Sequence, residues 1–180
     1  LTKNEASNIK SCLDSVKDIA DEVIILDSFS TDETVAIAKN YTSKIYFKEW
    51  IDDFSFSRNF TISKATGAWI LIIDADETFS YQSNFLDRLK TTQTKAFSLV
   101  RKEIYRQQHD SKQVKYPVSI IRLFKRETNA RFQYAIHERL DDFFVNKGIP
   151  VSIQQDCFLA HHISTQPTHV LAKQEKYLKL

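Results

Sequence analysis

The sequence predicts an α/β fold: a mostly parallel central sheet flanked by helices. Strand-like and helix-like stretches alternate over residues 1–80, the pattern of repeated βα units. Two of the apolar stretches, Glu22-Val-Ile-Ile-Leu-Asp27 and Trp69-Ile-Leu-Ile-Ile-Asp74-Ala-Asp76-Glu77, stop at carboxylates. With 180 residues, the chain is long enough to bury a sizeable core in one domain.

Each element has its own cue. Ile9, Cys12, Leu13 and Val16 recur at helical spacing behind Ser7 and Asn8, which predicts a helix over 7–20. The run 22–27 reads as a short buried strand. Ser30-Thr-Asp-Glu33 has the spacing of a capping box and predicts a helix through Val35, Ile37 and Ala38. Lys44-Ile-Tyr-Phe47 is a second strand, 54–65 a helix stopped by Gly67, and 69–73 a third strand. Beyond residue 80 the rhythm changes. Phe85, Leu86 and Leu89 predict a helix over 82–92, and 96–100 and 118–124 predict strands around a polar, basic stretch from Arg101 to Lys115. The pattern over 132–144 fits helix or strand, 151–162 is mixed strand and loop, and a last helix is expected from Thr168. The expected organisation is one domain over 1–180 in two halves, 1–80 and 81–180. Leu1-Thr2 reads as the tail of a strand and the whole as a piece of a longer chain.

Composition narrows the class. A formal net charge of +2 with scattered lysines argues against nucleic acid as a partner. No apolar run approaches the ~18 residues of a membrane span, and no signal-peptide pattern opens the sequence. Cys12 and Cys157 lack metal-ligand spacing and read as core thiols of a reducing compartment, so a cytoplasmic location is expected. Two glycines exclude a Gly-rich phosphate loop.

Chemistry concentrates at the strand ends. In an extended segment residues i and i+2 share a side, so Asp74 and Asp76 can converge on one target. Carboxylate oxygens at the end of a buried strand suit a hard divalent cation, and ligands of open α/β sheets collect at that edge. If the strands are parallel, Asp27 lands on the same edge. Taken alone, Asp-Ala-Asp-Glu reads first as a strand cap and solvated turn, because acidic turns are common. The basic residues Arg101, Lys102, Arg106, Lys112 and Lys115 read first as a solvated loop, with an anionic acceptor or membrane surface as the functional reading.

Several short motifs together resemble family 2 glycosyltransferases in order and spacing. They are Leu1-Thr-Lys-Asn-Glu5, Val23 through Thr34, Phe56-Ser-Arg58-Asn59, and Ala65-Thr-Gly67 through Asp76-Glu77. Weaker matches, Arg122-Leu-Phe124, Ile136-His137-Glu138-Arg-Leu140, His161 and Lys173-Gln-Glu-Lys-Tyr177, resemble the subgroup that adds glucose to lipopolysaccharide inner core. The resemblance implies a GT-A-type, Rossmann-like sandwich with a nucleotide-sugar half and a mixed acceptor half. It implies Mg²⁺ or Mn²⁺ as cofactor, a UDP-sugar donor, and a glycan or lipid-linked glycan acceptor, with peripheral contact at the cytoplasmic face of the inner membrane. By the same resemblance Asp76 is the metal ligand, Asp74 faces the ribose or shares the ion, and His161 completes the metal shell. Thr2, Glu5, Asp27, Ser30, Arg58 and Asn59 line the nucleotide pocket. Glu138 is the general base of an inverting transfer, with His137 orienting it or touching phosphate. Phe29 stands where the family often has Gly, which changes the fine shape of the base pocket. Two rival readings remain at this level: a sugar nucleotidylyltransferase and a non-catalytic nucleotide-sugar or glycan-binding module.

Overall fold

The computed structural model describes residues 1–105 and 113–163, with backbone alone at 113–116. The helix expected from Thr168, the 173–177 motif, Arg106 and Lys112 lie outside the described residues. Among the described residues are seven strands and five α-helices: α1 (Ile9–Asp14), β1 (Ile25–Asp27), α2 (Thr34–Ala38), β2 (Ile45–Phe47), α3 (Phe54–Ile62), β3 (Trp69–Leu71), β4 (Glu77–Tyr81), α4 (Phe85–Thr91), β5 (Ala96–Tyr105), β6 (Gln113–Lys125), α5 (Asp141–Asn146) and β7 (Val151–Ile163). No helix among the described residues is long and apolar enough to cross a membrane.

The fold is α/β, but its sheet is less parallel than expected. β1 and β2 pair in parallel, and Thr2 adds a parallel bridge to Asp27. The larger sheet has the order β3-β6-β5-β7-β4, and only its β5–β7 ladder is parallel. β3, the strand leading to Asp74, runs antiparallel to β6. The reason is topological. β5 and β6 follow one another directly and pair as an antiparallel hairpin, whereas a parallel pair needs a crossover. The basic stretch is corrected too: Arg101–Tyr105 continue β5, and 113–117 continue β6.

Alternating side chains cover both faces of the five-stranded sheet. Leu123 joins Phe79, Phe85, Phe97, Leu99 and Leu159 on one side, while Phe124 joins Ile62, Ile70, Phe132, Leu140 and Phe144 on the other. A third cluster, Ile9, Leu13, Ile25 and Ala38, seats α1 and α2 on β1. An apolar cleft of about 780 Å³ separates β1 from β3, lined by Ile9, Cys12, Leu13, Ile25, Ile70 and Ile72 among others.

The helices are shorter than their patterns. Asp53 caps α3 by accepting the Phe56 N–H at 2.8 Å, and α3 ends at Ile62, before Gly67 is reached. The capping box at Ser30 does not form, because Ser30 gives its hydroxyl to Asp27 (2.6 Å). Asp32 instead accepts the Thr34 N–H at 3.0 Å, and α2 starts there.

Candidate active site

At the end of β1, Asp27 is fully buried. It accepts from Thr2 Oγ1 at 2.9 Å, Ser30 N–H at 2.7 Å and Ser30 Oγ at 2.6 Å. Ser30 Oγ in turn accepts the Asn4 N–H at 2.8 Å, and Glu5 N–H donates to Thr34 Oγ1 at 2.7 Å. Glu5 also accepts from Asn8 Nδ2 at 2.9 Å. Thr2, Glu5, Asp27 and Ser30 are therefore brought together as expected, as one hydrogen-bonded stitch between 2–8 and 27–34. Phe29 follows in the left-handed region (φ 59°), half exposed, its ring 5.9 Å from that of Phe47. A residue with a Cβ pays for that conformation where Gly would not.

A second centre forms where β3 ends. Arg58, 5% exposed, reaches from α3 and donates through Nη2 to Asp74 Oδ1 (2.8 Å) and through Nε to Glu138 Oε1 (2.7 Å). Arg122 of β6 holds the other oxygen, Oδ2, of Asp74 at 2.9 Å. Burial alone would raise Asp74, but Arg122 and Arg58 outweigh it and hold the carboxyl well below the usual range. Burial likewise opposes charge on Arg58, and Asp74 and Glu138 keep it protonated beyond the ordinary arginine value. Charge alternates through space in the order Glu138, Arg58, Asp74, Arg122.

The turn 74–77 is closed by its own backbone. Glu77 N–H donates to Asp74 O at 3.0 Å, and Asp74 N–H donates to Glu77 Oε2 at 2.9 Å. Glu77 is 1% exposed, and its burial pushes the carboxyl upward, with Asp74 adding to the shift. Its Oε1 lies 3.9 Å from Arg101 Nη1. Asp76 has Oδ2 3.3 Å from His161 Nε2, and its carbonyl accepts the His162 N–H at 2.9 Å. The hydrogen bond to Asp76 raises the His161 pKa against the opposing effect of burial.

These placements sort the expected site residues. Asp76 and His161 come together at 3.3 Å. Asp74 and Glu138 meet through Arg58. Each Asp74 oxygen accepts from one arginine, Oδ1 from Arg58 and Oδ2 from Arg122. The Asn59 amide is taken by the backbone of Phe132, whose N–H it accepts at 2.8 Å and whose carbonyl it bonds at 3.0 Å. His137 is exposed at φ 56°. Sequence reasoning did not assign site roles to Arg122 or Glu77, and read Arg101 as part of a basic stretch rather than as a partner of Glu77. The available signal was a lone charge inside the apolar run Ile120-Ile-Arg-Leu-Phe124, which burial makes costly unless it is paired.

The donor set suits a hard divalent ion that keeps water and phosphate ligands. Asp76 offers oxygen, His161 offers nitrogen, and its buried Nδ1 has no hydrogen-bond partner. Among the described residues no group of three or more His, Cys, Asp or Glu side chains gathers to hold an ion unaided.

Comparison with known proteins decides the family. Residues 1–149 match the family described as Glycosyl transferase family 2. The chain belongs to that family. As a glycosyl transferase family 2 chain it is 39% identical over 144 residues to a TPR repeat-containing protein of Synechococcus elongatus, covering 79% of this chain and 34% of that protein. It is 48% identical over 82 residues to the prophage-derived glycosyltransferase SunS of Bacillus subtilis, covering 44% of this chain and 19% of SunS. The chain thus spans about a third or less of the curated relatives it matches. In fold it is similar to glucosyl-3-phosphoglycerate synthase from Mycobacterium tuberculosis, solved with Mn²⁺, UDP and glucosyl-3-phosphoglycerate. That likeness has a TM-score of 0.60 at 18% identity, over 95% of this chain and 72% of the other.

Proposed function

We propose that this chain is the catalytic domain of an inverting, metal-dependent glycosyltransferase that moves a hexose from a UDP-sugar to a hydroxyl of a cell-envelope glycan. The observation that carries this reading is the buried guanidinium of Arg58, which bonds both Asp74 of the carboxylate turn and Glu138 of the distant loop. Two carboxylates of opposite duty, one beside the donor phosphates and one facing an acceptor, need such fixed spacing.

In the transfer, Glu138 takes the proton of the acceptor hydroxyl as that oxygen bonds to the sugar's anomeric carbon. The bond from that carbon to the diphosphate breaks, and its electron pair leaves with UDP. Asp76 and His161 would hold Mg²⁺ or Mn²⁺, which supplies charge neutralisation at the leaving diphosphate. The stitched loop of Thr2, Asp27 and Ser30 would form the floor beneath the base and ribose. The UDP and Mn²⁺ of the structurally similar synthase support the choice of donor and ion. The motifs at 122–124 and 136–140 support lipopolysaccharide core as the acceptor, reached from the cytoplasmic face of the membrane. Membership of the transferase family favours this reading over a nucleotidylyltransferase.

Calorimetry with UDP, with and without Mn²⁺, followed by turnover of UDP-hexoses, tests it. UDP binding that needs the ion, with turnover reduced about 10²–10⁴-fold by Glu138→Gln at unchanged UDP affinity, is the expected result. Absence of UDP binding in the presence of Mn²⁺ would sink it.

A further inference from the structure

The loop over 132–140 carries Glu138 and is costly to build. Tyr134 (φ 74°) and His137 (φ 56°), the residue just before Glu138, both occupy the left-handed region although each has a Cβ. Such a backbone persists only where its surroundings over-determine it. Helix α3 provides that constraint. The Asn59 side chain bonds both the N–H (2.8 Å) and the carbonyl (3.0 Å) of Phe132, as a neighbouring strand would. Ser55 Oγ donates to Tyr134 O at 2.5 Å, and Phe54 N–H donates to Ala135 O at 2.8 Å. The Arg58 guanidinium lies 5.4 Å from the centre of the Phe132 ring while bonding Glu138. The loop then closes on itself through Gln133 and Arg139, which exchange both backbone bonds at 3.0 and 3.1 Å.

We infer that Asn59 is a positioning residue for Glu138, acting through Phe132, and not a nucleotide ligand. Asn59 is four residues C-terminal to Ser55 and next to Arg58, so one face of α3 holds the loop at its entry, at its strained middle and at Glu138. Loss of the Asn59 amide frees the entry and lets Glu138 drift from the distance that Arg58 sets. The inference rests on the reading of Glu138 as the base.

The test uses the full chain with Asn59→Ala, Asn59→Asp and Ser55→Ala. The readouts are hydrogen exchange of the 132–140 amides, calorimetry with Mn²⁺ and UDP, and the kcat and KM of UDP-glucose hydrolysis. Asn59→Ala should speed exchange at Phe132 and Arg139 at least tenfold, leave the UDP Kd within twofold, and lower kcat ten- to a hundredfold at unchanged KM. Asn59→Asp keeps the acceptor for the Phe132 N–H and should recover part of that loss. Combined with Glu138→Gln, Asn59→Ala should add no further loss, because both act on one group. Tenfold weaker UDP binding, or additive losses in the double variant, overturns the inference. Should Asn59→Ala not fold, Ser55→Ala must show the same pattern at smaller amplitude, and unchanged loop exchange there overturns it equally. If Glu138→Gln leaves hydrolysis untouched, the base assignment fails, and the exchange data still decide whether Asn59 holds the loop.

Discussion

Asp27 ends β1 and Asp74 lies three residues past β3, and the two are stabilised by opposite means. Asp27 is fully buried and satisfied by two hydroxyls and one N–H, all from residues 2–30. Asp74 is half-buried and compensated by two guanidiniums, from α3 and from β6. Neutral donors keep a carboxylate by hydrogen bonding alone, whereas arginines keep it by charge as well. The first arrangement ties two loops together with uncharged donors. The second joins distant parts of the chain and makes each member depend on the others.

Breaking the charged centre should cost most. Arg58→Met strips partners from Asp74 and Glu138 at once, and a loss of about 3–5 kcal/mol is expected in urea unfolding. A much smaller loss would mean that the guanidinium is dispensable to the fold. The same change at the two aspartates sharpens the contrast. Asp74→Asn points an amide nitrogen at a guanidinium and should cost about 3 kcal/mol. Asp27→Asn can turn its nitrogen toward Thr2 Oγ1 and Ser30 Oγ, which can accept, and keep oxygen for the Ser30 N–H, so about 1 kcal/mol is expected. Equal losses at the two positions would erase the distinction.

Glu22 combines both kinds of partner, Lys44 beside the N–H and hydroxyl of Thr66. The Lys44 contact, helped by the Thr66 N–H, lowers its carboxyl from 4.5 to about 2. A depressed folded pKa gives stability that is present above the unfolded value and is lost as pH falls through the folded one. The difference in stability between the native chain and Glu22→Gln should therefore hold above pH 4.5 and shrink toward pH 2; a difference independent of pH would exclude this linkage. The smallest effect concerns the thiols. Burial raises Cys12 and Cys157 to about 12, so neither should react measurably with iodoacetamide at pH 8 until the chain is unfolded.

The same contrast explains what could be read without coordinates. The Asp27 stitch joins two short motifs 25 residues apart, and each motif was visible in the sequence on its own. β3 and its closing Asp74-Ala-Asp76-Glu77 turn were also legible, because a buried strand followed by acids is a local pattern. The pairing of β3 with β6 was not, since nothing in Trp69–Leu71 specifies an antiparallel partner at 123–125. Arg122 lies 48 residues from Asp74, and Arg58 lies 80 residues from Glu138. Those contacts exist only after the sheet has formed. Asn59 illustrates the other limit: an amide can bind a ligand or a backbone with equal chemistry, and only position chooses.

Asp74 is flanked by two guanidiniums, whereas Asp76 Oδ2 faces the imidazole of His161 at 3.3 Å. A bare divalent ion would meet one carboxylate and one imidazole, too little to strip its water. A diphosphate brings the missing negative charge with it. On the proposed function, ion and nucleotide would enter as one package, so that metal affinity would be a property of the donor as much as of the protein.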